Sequence, residues 1–340
     1  MRYSKFLKEN GTIGVCAPSF GSNIEPYTSR LDSAIEIFES KGHSVKLTNS
    51  VRKLKKARSA SAKTRAKEFL EVYEDTNIDV VISEAGGELM CEILPCLDFD
   101  KLSKIEPKWF LGYSDNTILT FLLPVLADVA SIYGMCFHEF GRKPWYKNAD
   151  DTYLMLKGEK LVCKNYPKYE GESEKKNKDN ALDSYNLNKK SIWSNLSKED
   201  NFKVEGRVLA GCLDVLSMLC GTKYDKVKEF NEKYKDEGII WFVESCELNV
   251  LSQLRAFWQL KNAGWFKYAK AIIIGRPYMK ETLFDVDYKE ANFSELKSLG
   301  IPVVIDADFG HISPSFPIIS GGYAKVDYNK GKCKIEYILK

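Results

Sequence analysis

A serine, a histidine and a glutamate placed at strand ends can together carry out acyl transfer. The hydroxyl attacks, the imidazole takes its proton, and the carboxylate orients the imidazole. Ser114 lies in Phe110-Leu-Gly-Tyr-Ser-Asp-Asn-Thr117, where an apolar strand runs into a helix. A serine at such a turn projects its hydroxyl from the sheet edge. The helix that follows offers free N–H groups and a positive dipole to a developing oxyanion. The trio Ser114-Asp115-Asn116 also reads as an ordinary helix N-cap, and Asn116 stands where the G-x-S-x-G elbow has its second glycine.

Only three histidines occur, His43, His138 and His311, so a catalytic imidazole has three places to be. His311 lies in Asp306-Ala-Asp-Phe-Gly-His-Ile-Ser-Pro314, directly after the apolar run Pro302–Ile305. Loops at strand ends are where catalytic groups concentrate. His43 opens a strand after a helix C-cap and His138 follows an apolar strand, positions that cap or core roles explain. For the carboxylate, Glu244 ends the run Ile239-Ile-Trp-Phe-Val243, at a sheet edge and within reach of an imidazole. Glu247 is a second candidate, and a solvated acid at a strand exit is the plainer account of either. Asp115 suits the role poorly, because its side chain diverges from that of its neighbour Ser114. Gly86-Gly87 follow a strand as well. Paired glycines let backbone approach a ligand and free N–H groups for an oxyanion, although a plain strand-to-helix turn uses the same pair.

Alternating elements position these residues. Short apolar runs at Thr12–Ala17, His43–Leu47, Asp79–Ser83 and Trp109–Gly112 read as buried strands, separated by helical spacing over Tyr27–Lys41, 62–75 and Thr117–Leu126. Such alternation predicts a parallel sheet with helices on both faces. From about residue 146 to 201 the composition turns polar, and Lys168–Asn180 is almost wholly so; this reads as an exposed insertion or linker. A second ordered region starts near Val204 and ends in a hairpin, Tyr323–Tyr328 with Lys332–Ile338. The expected units are 1–150, the insertion 151–203, and 204–340, in keeping with a chain of 340 residues.

Bulk properties exclude several classes. The net charge is +3, without the basic stripe of a nucleic-acid binder. The most apolar stretch, Ile118–Phe137, is broken by Pro124 and Asp128, so no membrane partner is expected. The N-terminus carries no apolar signal region, which points to the cytoplasm. Nine cysteines without a C-x-x-C pair read as core thiols rather than a disulfide framework. Three histidines argue against a His-based zinc site, and no cofactor is expected.

Taken together, these segments resemble the LD-carboxypeptidase family of serine peptidases, peptidase family S66. The resemblance runs through Gly11-Thr-Ile-Gly-Val-Cys-Ala-Pro-Ser19, Gly86-Gly87 to Glu92-Ile-Leu-Pro95, Leu97-Asp98, Gly112–Thr117, Gly206–Gly211, Gly221-Thr222, Glu244, Gly310-His311 and Pro317. It implies an N-terminal Rossmann-like α/β domain carrying the serine, and a smaller β-rich, swivelling β/α C-terminal domain carrying Glu and His. It further implies a Ser114–Glu244–His311 triad, an oxyanion hole from the backbone of Gly87 and Asp115, a site between domains, and a homodimer. Muropeptide LD-carboxypeptidases usually read Arg-Gly-Gly-Tyr-Gly at the glycine pair, whereas this chain reads Glu84-Ala-Gly-Gly-Glu-Leu89. Together with the insertion, that departure looks more like the microcin C immunity peptidases, which cleave an aspartyl amide of a peptide-nucleotide antibiotic. In that branch an insertion tryptophan can stack on the nucleobase; here the candidate is Trp193, with Gly86 beside the same substrate. A murein-recycling carboxypeptidase and a non-catalytic ligand-binding relative are the alternatives.

Overall fold

A computed structural model describes residues 1–171, 176–197 and 199–340. Part of the polar run noted above, 172–175, lies outside the described residues. The strands in chain order are β1 (Thr12–Cys16), β2 (Ser44–Leu47), β3 (Val80–Ser83), β4 (Trp109–Gly112), β5 (Ser131–Tyr133), β6 (Val162–Lys164), β7 (Lys168–Tyr169) and β8 (Lys189–Lys190). They continue with β9 (Ser194–Asn195), β10 (Asn201–Cys212), β11 (Ile239–Glu244), β12 (Ala269–Gly275), β13 (Val303–Ala307), β14 (Ile318–Ser320), β15 (Tyr323–Asn329) and β16 (Lys332–Ile338).

The first sheet has the order β14-β5-β4-β3-β1-β2. Its pairs are parallel, except that β14 returns from the far end of the chain antiparallel to β5. β3 and β4 are buried on both faces, as parallel strands under helices must be, which is why they read as unbroken apolar runs. The strand order reverses between β1 and β3, the point at which open parallel sheets bind ligands beyond their carboxyl ends. The second sheet, β6-β16-β15-β10-β11-β12-β13-β9, has a parallel centre from β10 to β13. Antiparallel strands flank that centre, which makes an α/β N-terminal region and a separate β-rich C-terminal one. The hairpin turn between β15 and β16 is Lys330-Gly331, and both residues have positive φ (45° and 83°), the geometry a two-residue turn needs to match strand twist.

The helix expected over Thr117–Leu126 runs Thr117–Ala127, with Pro124 inside it. Proline removes one N–H and leaves the Thr120 carbonyl without its helical donor; the Ser131 hydroxyl donates to that carbonyl at 2.5 Å instead. The segment after residue 146 is more structured than its composition suggested. A helix, Lys147–Leu156, crosses the expected boundary at 150, and β6 and β9 join the second sheet. Its apolar anchors, Met155, Leu156, Cys163, Tyr166 and Trp193, are buried in the core, and they are too widely spaced in a polar run to show a period.

Candidate active site

The two sheets point their carboxyl ends at one cleft of about 580 Å³, lined among others by Gly86, Gly87, Tyr113, Ser114, Glu139 and His311. Ser114 follows β4, Gly86-Gly87 follow β3, Glu244 closes β11, and His311 lies beyond β13. Each candidate residue therefore lies at a strand end or in the loop beyond one.

Ser114 and His311, 197 positions apart, are in hydrogen-bond contact: His311 Nε2 lies 2.9 Å from Ser114 Oγ. On the other side of the ring, Nδ1 lies 2.7 Å from Glu244 Oε2. Glu244 is fully buried and is held on both flanks by glycines. A Cβ on Gly275 would come within 2.8 Å of Glu244 Cβ, and one on Gly310 within 2.7 Å of Glu244 Cγ. Gly310 also has φ of 95°. Only glycine fits this close approach at that backbone angle.

Ser114 has φ of 64°. A non-glycine residue in the left-handed region costs roughly 1–3 kcal/mol and persists only where its surroundings impose it. Here the turn from β4 imposes it. Gly112 is pressed against Asn116, where a Cβ would meet Asn116 Cβ at 2.9 Å, and Asn116 Nδ2 donates to the Ala85 and Tyr113 carbonyls at 3.0 Å each. Ser114 is thus not a plain N-cap, and its side chain gives no cap hydrogen bond. Gly86 lies directly against it: a Cβ there would sit 3.0 Å from Ser114 Cβ and 3.2 Å from Oγ. Gly87, with φ of 151°, has no room for a Cβ beside Ser19 and Phe20. Its N–H has no hydrogen-bond partner among the described residues.

Electrostatics fit a base. Burial lowers the proton affinity of His311, but the Glu244 charge and the hydrogen bond to it outweigh that effect and raise the imidazole well above its ordinary 6.5. The Tyr113 ring lies against the imidazole at 5.1 Å. Asp115 turns away, accepting from the Ser19 hydroxyl at 2.5 Å and the Met90 N–H at 2.8 Å, so its carboxylate serves the scaffold. Glu247 is exposed, and its N–H donates to Asp214, which gathers the loop after β11. His43 is buried against Tyr153 at 2.8 Å. His138, pushed to about 3 by burial, meets the Glu84 carbonyl at 2.6 Å.

Trp193 requires a correction. It does not face the cleft: its side chain is 1% exposed, stacked on Phe316, with Nε1 donating to Asp308 at 2.9 Å. It anchors the insertion on the second sheet, and no base can stack there. Sequence reasoning also missed Tyr133, whose buried hydroxyl donates to Glu244 Oε1 at 2.5 Å and accepts the Ser114 N–H at 3.2 Å. The available signal was its place at the end of β5, on the same sheet edge as Ser114.

Among the described residues, one group could hold a metal by ligand type: Cys212, Glu244 and His311, with ligand atoms within 4.8 Å of one another. Burial pushes the Cys212 thiol well up, so it stays protonated, and both imidazole nitrogens are already engaged. The set fits proton transfer better than ligation.

The chain is 27% identical to the microcin C7 self-immunity protein MccF of Escherichia coli, over 97% of this chain and 94% of that protein. Among solved structures, MccF in complex with aspartyl sulfamoyl adenosine matches with a TM-score of 0.83 at 23% identity, covering 100% of each chain. The muramoyltetrapeptide carboxypeptidase of Oxalobacter formigenes matches with a TM-score of 0.73 at 23% identity, covering 96% of this chain and 98% of that one; both likenesses carry the fold. The profile of the LD-carboxypeptidase N-terminal domain matches residues 13–134, that of the C-terminal domain matches 205–326, and the chain belongs to the LD-carboxypeptidase family of peptidases.

Proposed function

We propose that this chain is a serine peptidase in which Ser114 is the nucleophile, His311 the general base and acid, and Glu244 the residue that orients the imidazole. The observation that carries the reading is the unbroken hydrogen-bonded line from Ser114 Oγ through His311 to Glu244 Oε2, at 2.9 Å and 2.7 Å. Ser114 Oγ attacks the amide carbonyl while Nε2 takes its proton. The backbone N–H groups of Gly87 and Asp115 hold the oxyanion. Collapse of the intermediate passes the proton to the leaving amine, and water, activated by the same imidazole, releases the acyl group. No step draws on a cofactor.

For substrate, the reading is an amide of a peptide-nucleotide or aminoacyl-nucleotide antibiotic, with detoxification as the result. The 27% identity with MccF, spanning nearly all of both chains, supports it. So do Ala85 and Glu88, which flank the glycine pair where muropeptide enzymes carry arginine and tyrosine. The second reading, a muropeptide carboxypeptidase, rests on the family itself. A paired assay separates them: turnover of an aspartyl-sulfamoyl-adenosine substrate against a muropeptide tetrapeptide. The proposal expects the nucleotide conjugate to give the higher kcat/KM by at least tenfold; the reverse order assigns the chain to murein recycling. In either case the enzyme acts as a peptidase in the cytoplasm, and the expected assembly is a homodimer.

A further inference from the structure

Four arginines are buried: Arg30, Arg65, Arg207 and Arg276. Three face a carboxylate at 2.6 Å: Arg65 with Glu92, Arg207 with Glu237 and Arg276 with Asp308. Arg30, 5% exposed, makes no ion pair among the described residues. Its Nε donates to the Ala181 carbonyl at 2.7 Å, and its Nη2 has no partner. Beside it on the cleft wall is Arg142, whose Nη1 donates to the Asp183 carbonyl at 2.9 Å and whose Nε has no partner. The Arg142 guanidinium lies 4.6 Å from the centre of the Tyr185 ring.

The insertion therefore holds both guanidiniums from behind through neutral acceptors, which fix their position without cancelling their charge. Arg30 and Arg142 both act on one nearby carboxylate, Glu139, whose Oε2 accepts the Cys136 N–H at 2.9 Å. Two cations against one anion leave one positive charge uncompensated. Burial of such a charge is costly unless something pairs with it, and a guanidinium matches a carboxylate in shape and hydrogen-bonding pattern. Both residues line the same cleft as Ser114 and His311. The remaining charged residues of the lining are Glu88, Glu170 and Lys280, and the charged neighbours of Glu88 are Glu247, Asp115, Asp214 and His311 rather than the two arginines.

We propose that Arg30 and Arg142 form a subsite for a carboxylate that the substrate carries close to its scissile amide. The subsite rests on the peptidase reading above and names the group its substrate must present. Both substrate classes supply one: the side chain of an aspartyl group, or the terminal carboxylate of a tetrapeptide. On this account the polar insertion earns its place by supplying the Ala181 and Asp183 carbonyls.

The test uses the full chain in a Ser114→Ala background, with binding measured by calorimetry so that it does not depend on turnover. The probes are aspartyl-sulfamoyl-adenosine and its asparaginyl counterpart, and a tetrapeptide and its C-terminal carboxamide. The proposal expects the acidic member of at least one pair to bind more tightly. Arg142→Gln should weaken that member by roughly 10- to 100-fold, the size of a hydrogen bond to a charged group, and leave the neutral member within threefold. Arg30→Gln, checked for folding by its melting curve, should do the same. The pair that responds identifies the source of the carboxylate. Equal binding of acid and amide in both pairs, or equal weakening of both members by Arg142→Gln, overturns the subsite. Failure of the wild-type chain to hydrolyse any of the four, with carboxylate-selective binding intact, counts against the peptidase reading alone.

Discussion

The Tyr133 hydroxyl ties Glu244 to the backbone of Ser114: it donates to Glu244 Oε1 at 2.5 Å and accepts the Ser114 N–H at 3.2 Å. Glu244 belongs to the second sheet and Ser114 to the first, so one buried phenol sets the register between the two halves of the site. Tyr133→Phe removes only the oxygen. It should lower kcat roughly 10- to 100-fold, as expected for one hydrogen bond to a charged group, with KM little changed. Without that donor the Glu244 charge acts more strongly on His311, so the acidic limb of kcat/KM should move to higher pH. A fall in rate with no movement of the limb would reduce Tyr133 to a packing role.

The state of His311 sets the pH dependence. A general base must be neutral, and the Glu244 charge holds this imidazole well above 6.5 against the opposing effect of burial. Turnover should therefore fall on acidification with a midpoint above the ordinary histidine value, read from a kcat/KM profile. Glu244→Gln removes the charge and leaves the burial, so the midpoint should drop while the rate falls. The linked effect on stability has the opposite trend: a raised folded-state value gives stabilisation that is full below about pH 6.5 and is lost as pH rises through the folded-state value. Chemical denaturation across that window should show wild type losing more stability than Glu244→Gln.

Gly310 supports the carboxylate by having no side chain. Its φ of 95° and the 2.7 Å approach to Glu244 leave alanine no relaxed place. Gly310→Ala should cost about 1–3 kcal/mol of stability and displace Glu244, so that turnover falls further than Tm alone explains. Wild-type kcat in a folded Gly310→Ala variant would show that the cradle is not needed.

Trp193 gives a contrast. Since it is packed on Phe316 and bonded to Asp308, Trp193→Ala should destabilise the chain by about 3–5 kcal/mol, the range for a large core truncation. Binding of a nucleotide conjugate by the fraction that remains folded should be unchanged. Loss of that binding at unchanged Tm would restore a stacking role.

Much of this was readable from sequence because it depends on local pattern. β4 is a short apolar run that stops at Gly112, and Glu244 and His311 each follow such a run, so strand-end logic singled out the three side chains that the fold brings into hydrogen-bond contact. What escaped was long-range or conformational. The positive φ of Ser114 is held by the Gly112–Asn116 turn only because that turn is packed against residues 83–86, about thirty positions away. Tyr133 acquires its role only when β5 is laid beside β4. Trp193 looked like a binding residue because it stands alone among polar residues, but its partners Asp308 and Phe316 lie more than a hundred positions away. Arg30 sits in a helix that reads as an ordinary amphipathic one, and nothing in its window reveals that its carboxylate partner is missing.

The central claim is that Ser114 is the nucleophile. Ser114→Ala, assayed on whichever substrate the wild-type chain cleaves best, tests it most directly. The account predicts a loss of turnover on the order of 10⁶-fold, as triad deletions can give, with Tm little changed, since alanine keeps the Cβ that the left-handed backbone already accommodates. Activity within tenfold of wild type would contradict it.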